Sequence, residues 1–340
     1  MVRMVLTRRR PAALLAALVV LATAACSSGS SSGPTAGASG QVRTVENIDG
    51  SPVQVPEHPT RIVTLSEPTT DGVLALGLTP VGIVAGRGQS GVSHYLEDRA
   101  GGIPLLGGIA QPNYEAIGKA KPDLILVDGT SINNNDEAIA MLRRIAPTVY
   151  VGYAGGDWRT TFTNIAAAVD EADEGKAVLD AYDEHAATVR AQLAQAGLDK
   201  KTYSIVRWQG TSAALILQDL PPGQALIDLG LPRPAAQDRR GRGHAEPVSL
   251  ENLSTIDADY VFFGTLGGSS VDNPAAGGES GTDGAATALA AAEQTPGFTD
   301  LTAYEDGHVI PVDGSTWTST GGPILMTSIV DDVATALLGS

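Results

Sequence analysis

The chain has 340 residues, 43% of them apolar and 18% charged, with 22 basic against 38 acidic residues and a net charge of −16. That length and apolar content suffice for about two domains with buried cores and exclude a disordered chain. The acidic balance argues against nucleic acid as a partner, because phosphate binding needs a positive footprint, and the one basic cluster, RRGRG at 239–243, reads as a solvated loop.

Residues 1–25 carry Arg3, Arg8, Arg9 and Arg10, then an apolar run from Pro11 to Leu21 and a small-residue stretch, the layout of an export signal. The run is too short to span a membrane comfortably. LATAAC, 21–26, resembles a bacterial lipobox, with Thr23 where that pattern prefers leucine. The resemblance implies cleavage before Cys26 and a diacylglyceryl group on it. Cys26 is the only cysteine, so disulfides are excluded and a thiol at the cut site reads as a lipid attachment point. Two or more acyl chains would hold the protein on the outer face of the membrane. Residues 26–41 then form a Ser/Gly-rich tether.

RTVENIDGSPVQVP, 43–56, reads as a hairpin turning at Asp49-Gly50. RIVTL (61–65), VGIVA (81–85), LILV (124–127) and TVYV (148–151) are β-branched runs separated by helical stretches such as DGVLALG (71–77) and DEAIAMLRRIA (136–146). Such alternation predicts a largely parallel sheet covered on both faces. VGIVAGRGQSG, 81–91, places Gly86, Gly88 and Gly91 in G-x-G-x-x-G spacing. A dinucleotide site also needs a helix opening on the loop and an acid about 20 residues further on. SHYLEDRAGGIP is too short and glycine-broken for that helix, and LLGG stands where the acid should be. The loop reads instead as a turn at the carboxyl edge of a sheet, presenting Arg87 and Tyr95 to a cleft.

From Asp173 to Ala196 there is no proline, and Val178, Leu179, Tyr182, Ala186, Val189 and Leu193 mark one helix face. That helix would be roughly 36 Å long, with Gly197 as its stop. YSIVRW (203–208), AALILQ (213–218), GQALIDLG (223–230), DYVFFG (259–264), HVIPV (308–312) and a helix from Pro323 to Leu338 resume the alternation. The expected organisation is a signal peptide at 1–25, a tether at 26–41, an α/β lobe at 42–156, a helical linker at 157–198 and a second α/β lobe at 199–340. The fold class is α/β: two parallel-sheet, Rossmann-like lobes joined by one long backbone helix. GGSSVDNPAAGGESGTDG, 267–284, lacks a periodic apolar pattern and is either a lid or a plain loop.

These blocks resemble a known family, the extracytoplasmic binding proteins of ABC importers for ferric siderophores, haem and cobalamin. RIVTLSEPTTDGVLALGLTPVGI (61–83) is similar to its first strand, loop, helix and second strand, and IPLLGGIAQPNYEAIGKAKPDLILV (103–127) to its next block. VSLENLSTIDADYVFF (248–263) and YEDGHVIPVDGSTW followed by GGP (304–323) are similar to its C-terminal lobe. The resemblance implies a lipid-anchored, monomeric binding protein without cofactor. It would capture a ferric chelate and deliver it to a permease and its ATPase. Sheet physics agrees, since ligands sit beyond the carboxyl ends of parallel strands, and two such edges facing each other make a cleft. A helical linker predicts a small closure and a largely pre-formed site.

The residues expected to face that cleft are Glu67, Arg87, Tyr95, Asn113 and Tyr153 on the first lobe and Arg207, Trp208 and Trp317 on the second. Arg87 serves either an anionic chelate or solvent. Tyr95 lies roughly where haem-binding relatives place an axial tyrosine, and reads otherwise as a stacked, partly buried ring. Arg207 and Trp208 are consecutive in a strand and so point to opposite faces. Trp208 and Trp317 either line a pocket or belong to the core. Asp71 stands where relatives often carry a glutamate that pairs with permease arginines, although a helix dipole alone would also stabilise it.

Relatives that take carboxylate siderophores carry arginines where this chain has Thr318, Ser319 and Thr320, and Ile109 and Ala110. A highly anionic ligand would then be poorly compensated, so a hydroxamate or mixed-type ferric siderophore is expected. Haem or cobalamin is the alternative. Catalysis is not expected, since G-x-S-x-G, H-E-x-x-H and P-loop motifs are missing from the sequence. Direct zinc or manganese binding needs three or four converging ligands. The histidines His58, His94, His185, His244 and His308 are scattered, and His244 with Glu246 finds no third partner.

Overall fold

The alternation of apolar runs and helices is realised as two sheets in a computed structural model of the chain, which describes residues 41–132, 135–241, 243–274 and 277–339. The signal, Cys26 and the tether up to residue 40 lie outside the described residues. The chain enters through the antiparallel hairpin β1 (Val42–Glu46) and β2 (Pro52–Pro56), where Gly50 takes a φ of +79°. The first lobe continues as β3 (Ile62–Thr64), α1 (Glu67–Ala75), β4 (Ile83–Ala85), α2 (Glu97–Ala100), β5 (Leu105–Gly108), β6 (Gln111–Pro112), α3 (Tyr114–Ala120), β7 (Leu124–Val127), α4 (Gly129–Ile132), α5 (Asp136–Arg143) and β8 (Thr148–Tyr150). Helices α6 (Trp158–Ala168) and α7 (Ala172–Gln195) lead into the second lobe. There follow β9 (Tyr203–Gln209), β10 (Ser212–Leu215), α8 (Pro221–Asp228), β11 (Glu246–Val248), β12 (Tyr260–Gly264), α9 (Thr282–Ala292), α10 (Thr302–Glu305), β13 (Val309–Pro311), α11 (Gly314–Trp317) and α12 (Pro323–Leu338).

In the first lobe β3, β7 and β8 are parallel neighbours. The strands β4, β5 and β6 extend the same layer through a parallel bridge from Val63 to Gly82. The second sheet has the order β11-β10-β9-β12-β13. Only β9, β12 and β13 run parallel, while β10 and β11 turn back as antiparallel edge strands. The AALILQ run is therefore a hairpin partner of β9 rather than a crossover strand.

Both sheets are buried on both faces, and the period of two decides which residue serves which core. Along β7, Leu124 and Leu126 face the helices α6 and α7, and Ile125 and Val127 face the opposite layer. Along β9, Tyr203 and Ile205 face the helical layer, and Val206 and Trp208 face the outer one. The helical layer is shared: Phe162 and Ile165 of α6, Tyr182, Val189 and Leu193 of α7, and Leu325, Ile329 and Val333 of α12 form a single apolar cluster touching both sheets. Helix α7 begins and ends within one residue of the span read from the sequence, and Gly197 stops it with a left-handed φ of +75°. None of the helices among the described residues is long and apolar enough to cross a membrane.

Leu193 is fully buried on α7 in the shared layer. Leu193→Ala should therefore lower stability by about 3 kcal/mol, through lost apolar burial and the cavity left behind, as read from the urea unfolding midpoint.

Candidate functional site

The carboxyl ends of β3, β4 and β7 converge on one loop cluster. After β3, Ser66 caps α1 by accepting from Thr69 N at 3.3 Å, and Thr64 and Thr70 share a hydroxyl contact at 2.8 Å. This buried hydroxyl network fixes Glu67, whose Oε1 accepts from the Arg87 backbone N at 2.7 Å. Burial pushes the Glu67 carboxyl above the usual carboxylate range, and the nearby Arg87 charge opposes that shift. The Arg87 guanidinium donates from Nη2 to the Thr130 carbonyl at 2.8 Å. Asp128, also raised by burial, holds the same turn by accepting from Thr130 Oγ1 at 2.6 Å.

The facing edge of the second lobe supplies Arg207. As the period-two argument requires, it lies on the face opposite Trp208, and donates to the carbonyls of Thr318 and His244. Burial, and after it the charge of Arg87, lowers the Arg207 guanidinium to about 10. Burial and the same two arginines lower the His244 imidazole to about 4. Two cations on opposite lobes thus stand within electrostatic reach of each other beside a neutral histidine.

The lobes are closed on each other at three places. At the floor, Asp71 of α1 is fully buried and accepts from Ile324 N at 2.9 Å and Leu325 N at 3.0 Å, the first turn of α12. Its neighbour Tyr95 donates to Oδ2 at 3.1 Å. Helix α12 starts at Gly322-Pro323, which offer neither a capping side chain nor an N–H at the first position, so the cap is supplied from the other lobe. A Cβ on Gly321 would stand 2.5 Å from the Tyr95 hydroxyl, and one on Gly322 would stand 2.8 Å from Asp71 Oδ1. Only glycines permit this approach.

At one rim, Gly88 O accepts from Gly268 N at 3.2 Å, and a Cβ on Gly88 would meet the Leu266 carbonyl at 2.5 Å. Beside it His94 Nδ1 pairs with Asp313 at 2.6 Å and Tyr95 N donates to Ser315 Oγ at 3.2 Å. At the other rim Gln224 Nε2 donates to Gly156 O at 3.2 Å, and Arg240 reaches the Gly155 carbonyl. The gap left between the lobes, lined by Pro68, Asp128, Thr130, Tyr153, Thr320 and Gly321 among others, is about 20 Å³, room for roughly one water. A larger cavity of about 540 Å³ lies at the first rim, between the loop at 88–97 and Ser269, Pro274 and residues 277–280. The gap beside Pro68, Asp128 and Thr320 is therefore shut, and the roomier space between the lobes lies at the first rim.

Several expected ligand contacts are corrected by this geometry. Trp208 is fully buried and packs on Phe263 and Phe298, with centroids at 5.9 and 5.5 Å. Trp317, equally buried, stacks on Phe262 at 4.1 Å and donates its Nε1–H to Asp332 at 2.7 Å. Both tryptophans are core. Asp71 has no exposed surface, so in this closed state it offers no charge to a permease. The Tyr95 hydroxyl is committed to Asp71; burial, and then the Asp71 charge, pushes the phenol well above its ordinary value, opposite to what a tyrosinate ligand needs. Asn113 is exposed and spends its side chain capping α3, accepting from Ala116 N at 3.0 Å. Glu67, Arg87 and Arg207 are brought together, and Tyr153, 47% exposed, stands at the gap's edge against Tyr150. Sequence reading missed His244 as a member of this group. It read the segments of the first rim, 81–91 and 267–284, as a cleft-edge turn and as a lid or plain loop, and missed the second rim at 155–156.

The profile of a family described as periplasmic binding protein matches residues 62–316. The chain belongs to that family. It is the class of extracytoplasmic binding proteins of ABC importers that the sequence resembles, and its members bind substrates rather than transform them. This periplasmic binding protein is 30% identical over 313 residues to a probable siderophore-binding lipoprotein of Bacillus subtilis (strain 168), covering 91% of each chain. It is 25% identical over 307 residues to the petrobactin-binding protein of the same organism, covering 87% of this chain and 88% of the other. Among solved structures, Staphylococcus aureus SirA complexed with staphyloferrin B superposes with a TM-score of 0.71 at 22% identity, over 87% of this chain and 98% of that one. That likeness establishes the two-lobe fold. Among the described residues no group of three or more His, Cys, Asp and Glu side chains is placed to hold a metal ion.

Two tests follow from the closures. Asp71→Ala should cost about 2 kcal/mol in urea unfolding, because two buried N–H groups lose their acceptor, and Asp71→Asn should cost less. The His94 imidazole is raised above 6.5, first by its hydrogen bond to Asp313 and further by the charges of Asp313, Glu97 and Glu279, against a burial effect of opposite sign. The ion pair therefore contributes fully below 6.5 and is lost as pH rises through the raised value. The protection factor of Tyr95 N, with the intrinsic base-catalysed exchange rate divided out, should fall over that rise, and His94→Gln should remove the fall.

Proposed function

We propose that this protein captures a ferric siderophore between its lobes and hands the closed complex to the permease of an ABC importer, whose ATPase supplies the energy. One observation carries the reading: Glu67 and Arg87, each with a buried polar atom left unpaired, stand at the carboxyl edge of the first sheet facing the lobe that carries Arg207. The relatives named for siderophores and for petrobactin support the same ligand class. Within it, a hydroxamate or mixed-type chelate is the expected ligand. The iron would arrive fully chelated, so the protein needs no metal ligand of its own.

The proposed organisation keeps a lobe at 42–156, a helical linker at 157–198 and a lobe at 199–340, acting as a monomer. Lipid on Cys26 would hold it at the outer face of the membrane, and the name of the relative as a lipoprotein supports that anchor. Haem is less well served, because the tyrosine expected to ligate it already bonds Asp71.

The test is titration of the protein with ferric hydroxamates, ferric catecholates, haem, cobalamin and zinc, followed by tryptophan quenching and absorbance. Saturable quenching by a ferric siderophore is expected. A haem Soret shift abolished in Tyr95→Phe, with no response to any siderophore, would overturn the reading.

A further inference from the structure

Among the described residues, a single ion pair joins the segment 42–156 to the segment 199–340: His94 Nδ1 with Asp313 Oδ2 at 2.6 Å. The carboxylate is held at both oxygens, since Oδ1 accepts from Ser315 N at 2.7 Å and so caps α11 while Oδ2 takes the imidazole. The ring lies against the turn into α9, where a Cβ on Gly281 would stand 3.1 Å from Cε1. Half of the His94 side chain, 50%, remains in solvent, so protons reach it freely.

This pair sits at the roomy end of the interlobe space. His94 and Glu97 of the first lobe and Glu279 of the second line the cavity of about 540 Å³, and among the described residues no lysine or arginine does. The other rim lies where the chain passes into the linker. There Gln224 of α8 donates to Gly156 O at 3.2 Å and accepts from Trp158 N, at the start of α6, at 3.5 Å. A pivot at that junction leaves the first rim as the end that parts.

Charge sets how firmly the first rim is held. The ionisable groups facing His94 are Glu97 from α2, Asp313 from the start of α11 and Glu279 from the turn before α9, all of them acidic. Protonated, the imidazole ties carboxylates of the two lobes together. Neutral, it still donates one hydrogen bond to Asp313, but Glu97 on one lobe then faces Asp313 and Glu279 on the other without a cation between them. The tie becomes a weak repulsion.

We propose that the first rim is the port through which cargo enters and leaves, and that His94 with Asp313 is its proton-operated latch, fastened when the imidazole is charged and loose when it is neutral. The latch acts on the rim and not on the cargo, so it stands whether or not the cargo is a siderophore. Because His94 is raised above 6.5, the tie is complete below 6.5 and is lost as pH rises through the raised value. An acidic exterior holds cargo, and an alkaline one quickens its exchange.

The experiment places a nitroxide on each lobe, at Gly102→Cys, where a Cβ meets open space, and at the exposed Ala286→Cys on α9. Cys26→Ser leaves no other thiol to label. Double electron–electron resonance should give one short distance below 6.5, with a longer one growing in as pH passes the raised value. Adding His94→Gln should make the distribution the same at every pH, and His94→Lys should hold the short distance to higher pH. Dissociation of a ferric trihydroxamate, followed by stopped-flow tryptophan fluorescence, should quicken about 3- to 5-fold over the same rise, the size expected of a partly exposed ion pair. Thermal melts at each pH establish that the variants are folded. A distance that ignores pH with His94 in place, or an unchanged pH response in His94→Gln, would overturn the latch. A dissociation rate that does not follow the distance would overturn the port.

Discussion

The Asp71 carboxylate is the interaction on which the closed form depends. It lies on the first helix of one lobe, yet caps the last helix of the other, so the N-terminus of α12 has its donors satisfied only while the lobes touch. Burial works against the charge, and the N–H groups of α12 and the Tyr95 hydroxyl oppose that penalty. A carboxylate at a helix N-terminus also interacts favourably with the dipole. The floor of the cleft is thus an electrostatic joint close to the shared apolar layer, and the rims are held by weaker contacts, main chain to main chain and one histidine–aspartate pair. Such a gradient allows the rims to part before the floor does.

Much of the fold could be read from periodicity. The limits of α7 and α12 and the hairpin at Gly50 follow from rules local in sequence: an unbroken amphipathic face, proline at a first turn, glycine in a left-handed stop. The antiparallel return of β10 was not legible, because a period of two is the same for parallel and antiparallel strands. What decides it is a two-residue turn, Gly210 with φ +58°, that local composition does not single out.

The site was legible only in part, for a similar reason. Alternation along β9 announces that Arg207 and Trp208 diverge, but not which of them meets the cleft; that depends on Phe263 and Phe298, which arrive from far along the chain and claim the indole. Tyr95 and Asp71, expected as a ligand contact and a permease-docking acid, are both committed within the protein. Their purpose is each other and α12, a relation spanning 253 residues that no local pattern carries. Arg87 and Arg207 likewise come from different lobes, so a search of single loops for arginine clusters finds RRGRG at 239–243 and not this pair.

The glycine loop after β4 has a consequence for how this scaffold can diverge. Its contact with the second lobe is made by Gly88 main chain against Leu266 and the Gly268 main chain. Closure there is specified by what is missing from the sequence, while the adjoining position, Arg87, extends its side chain to the Thr130 carbonyl of its own lobe. On the proposed function, recognition at Arg87 and closure at Gly88 are encoded in neighbouring residues by different means. A lineage can exchange the first to change its cargo without retuning the second, but a single methyl group at Gly88 would hold that rim apart whatever the cargo.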